Sequence, residues 1–184
     1  MKWLYETLAF CPRCGARYPA AAFDAVDVRF VCEGCGYEFF QNSTPSCVAV
    51  VPQAGAPSNV LLLTRSTAPA IGKLGLPGGF MRHAEPPRDA VCREVREETS
   101  LQITIDRPLG ETMVVYPYCG AVVSVLEMAF VAHPVEVDLT GVATGEASSI
   151  GYYDASAIVA DARELAFPEH RLVLERYLQS LSRR

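Results

Sequence analysis

Apolar positions along the chain recur with two different periods, and the change from one to the other predicts its elements. CVAVVPQ and NVLLLTR are short continuous apolar runs separated by AGAPS, which predicts a hairpin of core strands. LQITI, GETMVVY and the longer AVVSVLEMAFVA read as further strands, and IGYYD as another short one. From Pro86 to about Thr99 the spacing turns helical. Pro86 and Pro87 suit a first turn, and Ala90, Val91 and Val95 supply an apolar face. Two more helices are predicted over 155–161 and 168–182, the second amphipathic through Leu172, Val173, Leu174, Tyr177, Leu178 and Leu181. Residues 1–43 differ: they carry no long apolar run, and RFVCEGCGYEFF has the form of a tight hairpin before the turn residues QNSTP. The pattern predicts an α+β protein with a small domain at 1–43 and a larger one at 44–184.

With 184 residues, half of them apolar, the chain can bury a real core. The formal net charge of −5 offers no electrostatic grip on nucleic acid or an anionic membrane, so neither is an expected partner, and an anionic substrate must be met by local cations or a metal. No stretch approaches about eighteen uncharged apolar residues, and MKWLYETLAF, with Glu6 inside it, lacks a cleavage pattern. A cytoplasmic protein is expected.

Four of the seven cysteines fall as two CxxC pairs, Cys11 and Cys14 in CPRCG and Cys32 and Cys35 in CEGCG, with seventeen residues between the pairs. That spacing suits tetrahedral thiolate ligation of Zn²⁺ by two knuckles, each followed by a glycine, Gly15 or Gly36, that tolerates positive φ. The segment balances Lys2, Arg13, Arg17 and Arg29 against Glu6, Asp24, Asp27, Glu33 and Glu38, so it is no basic nucleic-acid finger, and the zinc is expected to be structural. Cys47, Cys92 and Cys119 are scattered and read as packing residues.

The helix after Pro86 raises a question of charge. Glu94, Glu97 and Glu98 span about 100° of one face and repel by roughly 0.2–0.5 kcal/mol per pair. A mixed-charge solvated face with Arg93 is the ordinary explanation, and a divalent cation is the alternative. Mg²⁺ or Mn²⁺ takes oxygen ligands and would suit two or three converging carboxylates.

The stretch GGFMRHAEPPRDAVCREVREETSL supplies more than the glutamates. Gly79, Glu85, Arg93, Glu94, Glu97, Glu98 and Leu101 stand at offsets that resemble the Nudix box, with Ser100 where the family has glycine. The resemblance implies an α/β/α sandwich around a mixed sheet and a hydrolase acting on a nucleoside diphosphate linked to another moiety. It implies Glu94 and Glu98 as ligands of a catalytic Mg²⁺ or Mn²⁺, Glu97 as a further ligand or water holder, Glu85 as an accessory acid and Arg93 as the residue that orients them. The Gly79 carbonyl becomes a backbone ligand, and Gly78 belongs to the same substrate-facing loop. Ser100, if it closes the helix at positive φ, fits less well than glycine.

A zinc ribbon before a Nudix domain resembles bacterial and plant hydrolases of ADP-ribose, FAD or NADH. The motif of the NADH pyrophosphatases is missing from GETMVVYPYCGAVV. Pro117 lies sixteen residues beyond Leu101, where ADP-ribose hydrolases of the family place a proline, and FQNSTPSCVAVV resembles the ribbon exit of the ADP-ribose and FAD group. By family analogy Glu146 is a candidate general base, against an exposed loop glutamate. Tyr116 and Tyr118 are candidates for stacking on adenine, against alternate positions on a strand. Arg65 is a candidate phosphate contact, against a solvated strand end. His83, His133 and His170 rank below Glu146, and Phe80 reads as core. Dimerisation is expected from the resemblance alone. Competing readings are a NADH pyrophosphatase, a sanitiser of nucleoside triphosphates, and a non-catalytic nucleotide sensor with the ribbon as an interaction module. The repulsive glutamate array disfavours the sensor.

Overall fold

The computed structural model describes residues 1–135, 145 and 147–183, divided into two compact units. Met1–Thr44 and Val115–Val125 form the first. In it β1 (Lys2–Trp3) pairs in parallel with residues 121 and 122, while β2 (Phe23–Asp24), β3 (Arg29–Val31) and β4 (Glu38–Phe40) make an antiparallel sheet. RFVCEGCGYEFF is therefore the expected hairpin. Its centre is Phe30, against which the rings of Tyr18 and Phe23 pack at 5.0 and 4.9 Å.

Pro45–Val114 and Leu126–Arg184 form the second unit. The strands that lie in it, wholly or in part, are β5 (Thr44–Val50), β6 (Pro52–Gln53), β7 (Ala56–Arg65), β8 (Leu74–Gly75), β9 (Gly78–Phe80), β10 (Ile103–Tyr118), β11 (Ala121–Pro134) and β12 (Ala147–Asp154), the far end of β10 and the start of β11 belonging to the first unit. The helices of the second unit are α1 (Pro87–Thr99), α2 (Ala155–Ala160) and α3 (His170–Leu181). In one sheet β5 lies between β11 and β9, with β10 on β11; in the other β7 carries β12, β6 and β8. The core alternates with period two along the strands. Cys47, Ala49 and Val51 face a cluster containing Ala90, Val91 and Val95 of α1. Val48 and Val50 face one containing Ala155 of α2 and Val173, Leu174 and Tyr177 of α3. Burial on both faces explains why CVAVV is continuously apolar, and it makes this unit the expected helix–sheet–helix sandwich.

Two sequence expectations change. The CVAVVPQ and NVLLLTR runs form a partial hairpin. Pro52 has no N–H to extend β5, the register shifts between Pro52 and Gln53, and β6 alone pairs with β7 while β5 pairs with β9. LQITI and GETMVVY are two ends of one strand, β10. Its hairpin with β11 turns at Cys119 and Gly120, with φ of 47° and 81°, the double positive φ of a type I′ turn.

Pro87 sits in the first turn of α1 and Ser100 ends it at φ 60°, ψ 5°, its N–H donating to the Arg96 carbonyl. A left-handed cap is strained for a residue with a Cβ. Ser100→Gly is expected to raise unfolding stability by about 0.5–1 kcal/mol, measured by urea titration.

Candidate active site

The site is built where β9 passes α1. β9 is antiparallel to β5, with Cys47 opposite Gly79 and Val48 opposite Gly78. Gly78 has φ 149°, and a Cβ there would lie 2.1 Å from the Cys47 carbonyl oxygen, so no side chain fits. A Cβ on Gly79 would lie 2.8 Å from the Glu94 carboxylate. The missing side chain is thus the space the carboxylate occupies. Four residues along α1, Glu98 is only 8% exposed, and its Oε2 accepts the Gly78 N–H at 2.8 Å. Two acids one helical turn apart are directed onto one glycine pair. The neighbouring Cys47 thiol is pushed up to about 12 by burial, so it stays protonated.

Arg93, 10% exposed at its side chain, holds the remaining acids. Its Nε and Nη2 donate to the two Glu85 oxygens at 2.7 and 2.8 Å. Nη1 donates to Glu94 Oε1 at 2.6 Å and Glu97 Oε2 at 3.1 Å, and Nη2 also to the Phe80 carbonyl at 3.2 Å. Arg82 adds its backbone N–H to Glu85 and its guanidinium to Glu97, at 2.8 and 3.1 Å. Four formal negative charges, on Glu85, Glu94, Glu97 and Glu98, meet two positive ones, on Arg82 and Arg93, leaving an excess of two. The arginines offset much of the repulsion and leave the charge a divalent cation would neutralise.

The fork from Arg93, helped by the Arg82 N–H, holds the Glu85 carboxyl down at about 2 against its ordinary 4.5. A lowered folded-state value stabilises the fold above 4.5 and stops doing so as pH falls through about 2. Glu85→Gln should therefore be less stable than wild type above about pH 5 and converge with it in stronger acid, read from urea midpoints across pH.

The other candidates are dispersed. Arg65 is buried, with Nε donating to the Pro69 carbonyl at 2.8 Å and its guanidinium 5.3 Å over the Phe167 ring. Tyr116 and Tyr118 belong to the first unit, at the tip of the β10–β11 hairpin, where Tyr118 is exposed. Glu146 lies outside the described residues. His83 is exposed and His133 lies 3.9 Å from Asp106. Phe80, expected in the core, is partly exposed. His170, ranked low from sequence, is buried, with Nε2 3.3 Å from Glu127 Oε2 and Nδ1 accepting the Leu76 N–H at 3.3 Å. The available signal was Glu127, a single acid inside the apolar run AVVSVLEMAFVA.

The first unit holds a separate cluster. The sulfurs of Cys11, Cys14, Cys32 and Cys35 all lie within 4.8 Å of one another, with Cys11–Cys35 at 3.8 Å and Cys14–Cys32 at 3.6 Å. A tetrahedral ion with bonds of about 2.3 Å spaces its sulfurs by about 3.8 Å, whereas a disulfide needs about 2.05 Å. Each knuckle closes alike. The Gly15 N–H donates to Cys11 O and the Gly36 N–H to Cys32 O, at 2.9 and 2.8 Å, with φ of 74° and 68°. Among the described residues no other three His, Cys, Asp or Glu side chains gather donor atoms this way; the glutamate oxygens are turned onto Arg93, Arg82 and the Gly78 amide.

Comparison with known proteins agrees with this geometry. A NUDIX hydrolase from Nitrosomonas europaea superimposes with a TM-score of 0.71 at 25% identity, covering 96% of this chain and 93% of that one. An ADP-ribose pyrophosphatase from Streptococcus suis 89-1591 shares the fold, with a TM-score of 0.55 at 17% identity over 76% of this chain and 92% of that one. An NAD-capped RNA hydrolase, NudC, from Stutzerimonas stutzeri (strain A1501) is 31% identical over 94 residues, 51% of this chain and 32% of the relative. The chain thus matches about a third of the length of that curated relative. The NUDIX domain family model matches residues 43–177, a span that holds β5, β9 and the whole glutamate helix, and the chain belongs to that family.

Proposed function

We propose that this Nudix protein is a metal-dependent hydrolase of the diphosphate linkage in a nucleoside diphosphate derivative, ADP-ribose or FAD favoured, releasing a nucleoside monophosphate and a phosphorylated partner. The observation that carries the reading is the placement of Glu94 and Glu98 on the Gly78–Gly79 pair. The donors fit a hard cation: they are oxygens, two formal negative charges remain after the arginines are counted, and the absence of a Cβ on Gly79 lets the Glu94 carboxylate lie beside that backbone. Glu94, Glu98 and the Gly79 carbonyl would hold Mg²⁺ or Mn²⁺, with Glu97 as a further ligand or water holder. Bound there, the ion supplies neutralisation of diphosphate oxygens and acidification of water. Arg93 fixes Glu85, Glu94 and Glu97 in advance, so little reorganisation remains for the reaction itself. Glu146 stands as the proposed general base, Tyr116 and Tyr118 as base-stacking residues and Arg65 as a phosphate contact.

In the same reading Cys11, Cys14, Cys32 and Cys35 hold a structural Zn²⁺ in a domain at 1–43, and 44–184 is the hydrolase domain. The protein acts as a cytoplasmic homodimer; no described helix is long and apolar enough to cross a membrane. A second reading, hydrolysis of NADH or of an NAD-type cap on RNA, is favoured by the identity with the protein named NAD-capped RNA hydrolase, and it brings nucleic acid back among the partners.

The test is a panel of ADP-ribose, FAD, NADH, an NAD-capped oligonucleotide and a nucleoside triphosphate, at equal concentration with Mg²⁺, products identified by mass. AMP with a phosphorylated partner is expected, with kcat/KM for ADP-ribose or FAD at least about tenfold above the rest. Preference for NADH or the capped RNA would install the second reading. No phosphate ester from any of the five would refute both.

A further inference from the structure

The backbone that leads into the glycine pair is held by a second device. His170 opens α3 and is 2% exposed, and its Nδ1 accepts the Leu76 N–H at 3.3 Å. A backbone N–H can only donate, so Nδ1 must present its lone pair and the ring proton must sit on Nε2. There it faces Glu127 Oε2 on β11, 3.3 Å away. Glu127 is 7% exposed and its other oxygen is buried with no hydrogen-bond partner among the described residues.

An imidazole and an acid are expensive side chains to bury, and the Leu76 they serve belongs to an apolar cluster with Val48, Leu62, Val173 and Leu174 among others. What they add is a directed acceptor for one amide. Leu76 is two residues before Gly78, whose own N–H is taken by Glu98. The segment from Leu76 to Gly78 is therefore held at both ends, by an imidazole at Leu76 and by Glu98 of α1 at Gly78, with the Glu94 carboxylate lying beside Gly79.

We propose that His170, held in its Nε2–H tautomer by Glu127, is a positioning residue for diphosphate cleavage: it fixes the Leu76–Gly79 backbone against which Glu98 and Glu94 are set. This rests on the hydrolase reading above. His170 touches no substrate and acts through the backbone.

The test compares His170→Asn with His170→Gln. The Asn oxygen replaces Nδ1 and keeps the Leu76 contact; the Gln amide reaches toward Glu127 and loses it. Each is measured for kcat and KM, for thermal unfolding, and for amide exchange of peptides covering residues 74–80. In the Gln variant kcat is expected to fall about tenfold, KM to stay within about twofold, and exchange at Leu76 and Gly78 to quicken, with Asn near wild type on all three. Equal behaviour of the two variants, or unchanged exchange at both amides, overturns the proposal. Should neither variant fold, ¹⁵N spectra of the wild-type ring decide: an unprotonated Nδ1 supports it and a protonated Nδ1 overturns it. A wild-type protein that cleaves none of the nucleotides defeats the hydrolase reading alone, because exchange and tautomer still report on the pinning.

Discussion

Glu98→Gln is expected to lower kcat by on the order of 10³-fold with the fold intact. The amide oxygen can still accept the Gly78 N–H that Glu98 Oε2 now accepts at 2.8 Å, so the join between α1 and β9 survives. What disappears is a negative charge on a side chain only 8% exposed, where water screens little. The formal excess of two negative charges falls to one, and a divalent ion loses a ligand and half of its electrostatic reason to bind. Glu97→Gln should be far milder, about tenfold, because that carboxylate is 44% exposed and its arginine contacts lie at 3.1 Å. The measurement is initial rate against Mg²⁺ concentration with thermal unfolding alongside. Activity of Glu98→Gln within about tenfold of wild type, at any Mg²⁺ concentration, would remove Glu98 from the proposed ligand set.

The other large effect concerns the first unit. Within Met1–Thr44 the buried apolar interior is thin, chiefly Phe30, Ala22, Cys11 and Cys32, and two of those four are the proposed zinc ligands. Metal binding in such a knuckle pair supplies on the order of 10 kcal/mol of apparent folding free energy, more than so small an interior yields by itself. Cys11→Ser is expected to abolish binding of one Zn²⁺ per chain and to unfold this unit. The readouts are metal analysis and amide exchange across residues 1–44, where protection should be lost. Cys119→Ser, at the exposed tip of the β10–β11 hairpin, should change neither. Wild-type protein with protected amides and no bound zinc would contradict the proposal.

What could be read from the chain was whatever local chemistry determines. Pro87 marks the start of α1 and Ser100 its left-handed end because both are decided within a turn of backbone. The two knuckles are legible for the same reason: CxxCG encodes both the ligand spacing and the positive φ that follows. Partner choice was not legible. CVAVV looks equally apolar whether it pairs with the next run or with β9, and the decision fell to Pro52 and to burial on both faces. The glutamate array suggests a cation and the family resemblance gives Arg93 as the residue that orients it, but the fork that reaches Glu85, Glu94 and Glu97 at once depends on the tertiary placement of Glu85, which local sequence does not encode. His170 was missed because a histidine on an amphipathic helix looks ordinary until Glu127, 43 residues away in sequence, is folded onto it.

On the proposed reading, the clamp of Arg93 on Glu85, Glu94 and Glu97 would also divide the two metals by what each does for the molecule. A cluster that carries part of its own counterion has a resting form in which its acids are already ordered. A divalent cation held there could then arrive and depart with each turnover without disturbing the architecture, whereas the four proposed zinc ligands have no such arginine clamp among the described residues and would keep their ion as a permanent resident.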